Sequence, residues 1–357
     1  MTSTARVVTL TANPSLDRTL PLPGPLDRGA VIRLGASSTE PGGKGVNVAR
    51  AVAAAGGDVV CVLPAADDDP IVRALHELGL ALATVPVAAA VRTNYTLPEP
   101  DGTTTKLNEP GTPLDENARA ALADTVHRHG AGARWVALSG SLPPGTPVDW
   151  YADLVASLRD TGAKVAVDTS GAPLLALLAA GAHAAPDLLK PNAEELAQLA
   201  GVSEGEVLAS PAATLAAVRT LHDRGVAEVL LTLGGDGALL STAEGTGGGT
   251  GGGTGGGSVW SARPPRITVR STVGAGDSSL AGYLLADLAG APPAERLRTA
   301  VAYGSAAASM PGSALPTPAA VDVSAVSVVA GPPDRTTSAP SRSSAPTPDP
   351  VAGRIVP

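Results

Sequence analysis

Ser271-Thr272-Val273-Gly274-Ala275-Gly276-Asp277 runs straight into an Ala/Leu-rich segment, Ser278 to Leu288. Glycines at 274 and 276 let the backbone come close to an anion, and the free N–H groups that open a following helix make a phosphate site. An acid at that position has two explanations. Asp277 could accept the proton of an attacking hydroxyl while backbone donors and a metal stabilise charge on a transferring phosphoryl group. Alternatively it is only an N-cap after a Gly turn.

Outward from this segment, short Val/Leu-rich runs alternate with helical stretches. Ala5 to Thr11, Asp58 to Leu63, Arg134 to Leu138, Lys164 to Asp168 and Glu228 to Leu233 read as buried strands. Gly45 to Ala55, Pro70 to Leu78, Asp115 to His129, Val148 to Asp160, Ala193 to Ala200 and Ala212 to Arg224 read as helices. The alternation predicts an α/β fold with a doubly wound, mostly parallel central sheet and helices on both faces. Two segments break the rhythm, 18–39 and 91–107, where Thr, Val, Arg and Leu alternate between turn residues. They are expected to form a small β-sheet beside the main one, acting as a lid.

In such sheets ligands bind at the carboxyl ends of the strands. Pro41-Gly42-Gly43-Lys44-Gly45-Val46-Asn47 is a second Gly-rich helix opening, with an amide at Asn47 for hydroxyls and a charge at Lys44. It lacks the spacing of a Walker P-loop, and a plain strand-to-helix turn is the competing explanation. Asn192 and Glu195 stand three apart at a helix start, on one face, where they can hold a hydrated magnesium ion or merely cap the helix. Thr232-Leu233-Gly234-Gly235-Asp236-Gly237 is either part of a ligand site or a hairpin corner.

Composition narrows the partners. Asp plus Glu at 33 against Lys plus Arg at 25 gives a net charge of −8 over 357 residues, which argues against a nucleic-acid partner. No run approaches the roughly 20 apolar residues needed to span a bilayer, and Met1 to Leu10 does not read as a signal peptide. With one cysteine, Cys61, and five scattered histidines, neither a disulfide scaffold nor a zinc centre is supported. A reducing cytoplasm fits. Much of the Gly and Pro excess lies in a GGGT-type loop at 245–258, expected to be flexible, and a Pro/Ser/Thr-rich tail at 331–357, expected to be disordered. That leaves one domain at about 4–325.

Six blocks in one order resemble the PfkB (ribokinase-like) carbohydrate kinase family: Thr11 to Asp17, Pro41 to Asn47, Leu138-Ser139-Gly140-Ser141-Leu142-Pro143, Lys190 to Glu195, Thr232 to Gly237 and Thr272 to Asp277. Val91-Arg92-Thr93-Asn94 and Thr105 to Gly111 look most like its phosphosugar kinases, the group of 1-phosphofructokinase, tagatose-6-phosphate kinase and PfkB-type 6-phosphofructokinase. The resemblance implies a ribokinase-like fold and an ATP-dependent, magnesium-assisted kinase acting on a small phosphosugar, with fructose 1-phosphate the expected substrate. Asp277 would be the catalytic base, and Gly274, Ala275 and Gly276 the anion hole. Asp17, Gly43 and Asn47 would grip sugar hydroxyls. Lys44, Arg92 and Lys106 would meet the substrate's phosphate, with Ser139 and Gly140 lining the same pocket. Lys190, Asn192, Thr232, Gly234 and Gly237 match the nucleotide side, and Glu195 the magnesium-linked motif, acting through water. A homodimer paired through the lid is the expected assembly.

Tyr303-Gly304-Ser305-Ala306 departs from the family's Asn-Ala pattern near the adenine, and the glycine insert falls on the nucleotide side. Two rivals stand beside the kinase: a sugar or nucleotide sensor without turnover, and a dinucleotide-binding oxidoreductase. The last is weak, because Gly-x-Gly-x-x-Gly strings occur only inside the glycine repeat.

Overall fold

The computed structural model describes residues 6–243 and 257–332. Residues 244–256 of the glycine loop and the tail from 333 onward lie outside the described residues. The apolar runs become strands buried on both faces: β1 (Val7–Leu10), β4 (Val59–Pro64), β8 (Trp135–Ser139), β9 (Lys164–Asp168), β10 (Leu188–Leu189) and β11 (Glu228–Thr232). With β5 (Ala81–Val85), β12 (Ala238–Thr242), β13 (Val259–Arg263) and β14 (Ser327–Ala330) they form a 10-stranded sheet in the order β14-β13-β12-β11-β10-β9-β8-β1-β4-β5. From β5 to β11 all pairings are parallel; from β11 to β14 they are antiparallel.

Because side chains alternate across a strand, each face of the sheet has its own core. Val8, Leu10, Val60, Val62, Val136, Leu138, Val165 and Val167 point to one side. There they meet α3 (Glu116–Gly130), α4 (Trp150–Ser157), α5 (Gly171–Ala179), α6 (Ala193–Ala200), the short α7 (Glu204–Val207) and α8 (Pro211–His222). Val7, Val59, Cys61, Leu63, Trp135 and Ala137 point to the other, under α1 (Lys44–Ala54), α2 (Pro70–Glu77), α9 (Ala275–Leu288) and α10 (Pro293–Ala308). Helices α9 and α10 touch almost backbone to backbone: a Cβ on Gly282 would lie 2.7 Å from the Thr299 carbonyl, and one on Gly304 would lie 2.2 Å from Ser279 Oγ.

The small sheet exists, with the order β3-β2-β6-β7, and its bounds differ from expectation. β2 (Ser15–Thr19) starts before residue 18 and β3 (Ser38–Gly42) ends after 39, while 20–37 forms no strand. The Leu20 and Leu22 N–H groups still reach the Thr96 and Pro98 carbonyls, but Pro21, Pro23 and Pro25 have no donors for a ladder on the opposite side. β6 (Arg92–Pro98) and β7 (Thr104–Asn108) turn at 99–103, where Gly102 takes φ +94°. The register sets Asp17 opposite Asn94, Ser15 opposite Arg92, and Thr96 opposite Lys106, so by alternation these six share one face of the lid.

Two further differences matter. Helix α9 begins at Ala275, so Asp277 sits inside its first turn, and Gly274 in the left-handed region (φ +75°) takes the cap position. The N-cap explanation for Asp277 is therefore wrong. β14 also carries the sheet past residue 325: Ser327–Ala330 pairs with β13, and the Gly331 N–H reaches the Val259 carbonyl at 2.8 Å.

Candidate active site

The carboxyl ends of β1, β8, β9 and β10 open toward the N-termini of α1 and α9, where Lys44, Asn47, Lys190 and Asp277 come together. Asp277 is 7 % exposed and accepts a 2.8 Å hydrogen bond from Asn47 Nδ2. Burial, with Asp168 nearby, pushes its pKa up to about 6 against the opposing pull of Lys44, Asn47 and Lys190. Beside it the Ala275 N–H turns back to the Thr272 carbonyl at 3.4 Å and the Ser278 N–H to Gly274 at 2.8 Å. The N–H groups of Gly276 and Asp277, between them, meet no backbone carbonyl among the described residues, as the first turn of a helix dictates. A Cβ at 276 would come within 3.3 Å of Lys190 Nζ, so glycine there leaves the ammonium room.

On the side where the sugar is expected, Gly43 caps α1 with φ +108°, and a Cβ there would strike Thr11 Cγ2 at 2.7 Å. Gly42 is equally constrained, since its Cβ would fall 2.2 Å from Asp17 Oδ2. Ser15 Oγ (2.8 Å) and Asn94 Nδ2 (3.0 Å) both donate to Asp17 Oδ1. Gly140 takes φ +101° and stands against the Lys44 stem, and Ser139 Oγ is buried without a partner. Arg92 is half-buried and gives its two terminal nitrogens to the carbonyls of Glu109 (2.9 Å) and Asn13 (3.1 Å), which leaves its buried Nε unpaired. Lys106 is exposed on the edge strand β7.

Of the residues expected to meet the nucleotide, Asn192, Thr232, Gly234 and Gly237 form a second cluster, while Lys190 joins the first. Asn192 and Thr232 bridge adjacent strand ends, and with Leu233, Gly234, Glu194 and Asp236 they line a cleft of about 390 Å³. The turn 232–237 is also the corner of the β11–β12 hairpin, where Gly237 takes φ +97° and a Cβ would lie 2.0 Å from the Ala262 carbonyl. Asn192 and Glu195 form a reciprocal cap of α6: the Asn192 N–H donates to Glu195 Oε2 at 2.9 Å and the Glu195 N–H to Asn192 Oδ1 at 2.8 Å. Only the second carboxylate oxygen of Glu195 is left for a hydrated ion. Tyr303 and Gly304 are buried in the α9–α10 contact.

Sequence reading passed over two groups. Asp168, fully buried at the end of β9, pairs with Lys44 Nζ at 2.8 Å and Lys190 Nζ at 3.0 Å. Its burial opposes ionisation, but the two ammonium groups hold its pKa below the ordinary carboxylate value. In return Asp168 chiefly raises the pKa of Lys44. An acid closing the buried run Lys164 to Asp168 was a visible signal. Asn94, whose buried Oδ1 has no partner, was quoted only as part of a motif.

A doubly wound sheet with a β lid, and a buried acid at a Gly-capped helix start between two basic half-sites, define a kinase-type phosphoryl-transfer scaffold. The chain belongs to the pfkB family of carbohydrate kinases, whose profile matches residues 12–320. It is 36% identical over 321 residues to a 1-phosphofructokinase of Rhodobacter capsulatus, covering 88% of this chain and 94% of that one. It is 33% identical over 314 residues to the ATP-dependent 6-phosphofructokinase isozyme 2 of Escherichia coli, covering 87% and 94%. The crystal structure of phosphofructokinase-2 from Escherichia coli in complex with substrates and products superposes with a TM-score of 0.78 at 31% identity, over 88% of this chain and 96% of that one. The fold is thus ribokinase-like, and no helix among the described residues is long and apolar enough to cross a membrane.

Proposed function

We propose that this carbohydrate kinase uses ATP to phosphorylate fructose 1-phosphate, giving fructose 1,6-bisphosphate and ADP in the cytoplasm. One observation carries the reading: the buried carboxylate of Asp277 lies where a sugar-side cluster holding Lys44 and Asn47 meets a nucleotide-side cluster holding Lys190. Asp277 takes the proton as the hydroxyl at carbon 6 bonds to the γ-phosphorus and the bond to ADP breaks. The N–H groups of Gly276 and Asp277, with Gly274 and Ala275 shaping the turn, receive the charge on the transferred group. Asp17, Gly43 and Asn47 hold sugar hydroxyls. Lys44, Arg92 and Lys106 take the substrate's phosphate beside Ser139 and Gly140, Arg92 exchanging its carbonyl partners for phosphate oxygens. Asn192, Thr232 and Gly234 bind the nucleotide along the 390 Å³ cleft, with Lys190 and Gly237 outside its lining but on the same side.

The donor set fits magnesium, with the free oxygen of Glu195 holding it through water. When bound, the ion neutralises phosphate charge. Phosphorylation of fructose 6-phosphate is the second reading, favoured by the Escherichia coli 6-phosphofructokinase relative; tagatose 6-phosphate is a third substrate of the same chemistry. ADP release measured side by side on fructose 1-phosphate, fructose 6-phosphate, tagatose 6-phosphate, fructose and ribose decides. A higher kcat/KM on fructose 1-phosphate is expected; preference for another ketohexose phosphate replaces the substrate. ATP and sugar binding without turnover would make the chain a sensor. The lid's Leu107, 55 % exposed, supports pairing of two copies there, and a mass near that of one chain in solution would refute it.

A further inference from the structure

The buried pair-of-pairs around Asp168 joins groups that the proposed mechanism treats separately. Lys44 opens α1 on the sugar side, and Lys190 follows β10 on the nucleotide side. Asp168 comes from β9 between them, 0 % exposed, one carboxylate oxygen on each ammonium at 2.8 and 3.0 Å. Its backbone carbonyl also receives the Gly140 N–H at 2.8 Å, which fixes the loop beside Lys44. A carboxylate this deep is costly unless compensated, and here one negative charge serves two positive ones. The shared unit has a net charge of +1 and adjoins the base, Asp277.

We propose that Asp168 is a positioning residue that ties the sugar-side and nucleotide-side lysines into a single unit, so that neither substrate subsite is set independently of the other. A phosphate arriving at Lys44 competes with Asp168 for that ammonium, and the carboxylate it releases is left to Lys190 alone. Occupation of one subsite therefore alters the other by a charge exchange 3 Å long, with no movement of the sheet. Four groups face Asp277 across this junction: Asp168 from β9, Lys44 and Asn47 from α1, and Lys190 after β10. Replacing Asp168 by its neutral isostere removes a negative neighbour and frees two positive ones, both of which favour the ionised base.

The inference rests on the kinase reading above, and the test separates the two. In the full-length Asp168→Asn enzyme, KM for the phosphosugar and KM for ATP should both change, by about fivefold or more. The acid limb of the kcat profile should move down by about one pH unit, because a nearby charge shifts a carboxyl by that amount. The same substrate ionisations enter the wild-type profile, so the difference belongs to the protein. A change in only one KM, or an unmoved acid limb, overturns the assignment; a merely structural carboxylate would lower kcat without shifting the limb. If Asp168→Asn yields no folded protein, ATP affinity of Lys44→Met measured by calorimetry replaces it: a change of about fivefold is expected, and wild-type affinity overturns the coupling. Failure of the wild-type enzyme to turn over any ketohexose phosphate would instead strike the substrate reading, and the ATP arm would still judge Asp168.

Discussion

In the proposed mechanism Asp277 works only when ionised, yet its surroundings favour the proton. With its pKa raised to about 6, the acid limb of kcat/KM should fall as pH drops through that value. The same shift has a stability consequence. The folded state binds this proton more tightly than the unfolded chain, so the carboxylate's contribution to stability is lost as pH rises toward and past 6. Asp277→Asn should therefore remove turnover by roughly 100- to 10,000-fold while leaving Tm at pH 7.5 unchanged or higher; retention of a tenth of wild-type kcat would mean that another group takes the proton. At Gly42 the logic is steric. A methyl group there must displace Asp17 Oδ2 from 2.2 Å, so Gly42→Ala should raise KM for the sugar and leave KM for ATP alone. Arg92→Ala should weaken phosphorylated sugars more than fructose, by on the order of 1.5 to 3 kcal/mol. Equal losses on fructose and fructose 1-phosphate would reduce Arg92 to a clamp on the Asn13 and Glu109 carbonyls.

Among the elements, α6 offers the sharpest contrast between structural and functional chemistry, because its cap and the expected magnesium motif are the same two side chains. Gln at the third position can still accept the Asn192 N–H. Glu195→Gln should thus keep Tm while raising the magnesium concentration needed for half-maximal rate, and an unchanged magnesium requirement would leave Glu195 a cap alone. The elements were legible in proportion to their burial. Val7–Leu10, Val59–Pro64 and Lys164–Asp168 carry unbroken apolar runs and stood out; Leu188–Leu189 is too short to show any period, and Ala238–Thr242 and Val259–Arg263 flank the glycine insert. β14 fell in the gap between the expected domain end at 325 and the tail expected from 331, although Ser327–Ala330 is apolar enough to pair. The site was legible where glycine marks it. Asp168 was missed because nothing in one dimension says that Lys44 and Lys190, 146 positions apart by subtraction of their numbers, share one carboxylate.

For the whole molecule, the C-terminal edge gives a test of extent. A chain ending at residue 325 loses buried Val326, the carbonyl that Arg298 holds, and the β14 ladder. It should melt lower than the full chain, whereas one ending at residue 332 should match it; equal melting of all three would place the folded boundary at 325 after all.

From β8 onward the sheet is laid down in numerical order, each strand pairing with the one made just before it. A ribosome releasing this chain would therefore present one growing edge at a time, and each new segment would find its neighbour already waiting. Strands β8 to β13 are complete before α9 emerges, so the proposed base, Asp277, is the last major part of the candidate site to be installed. A chain stalled before residue 275 lacks α9 and α10, and with them both the proposed base and two of the helices that cover one face of the sheet. On the proposed assignment of Asp277, a half-made chain would thus lack the group that takes the proton.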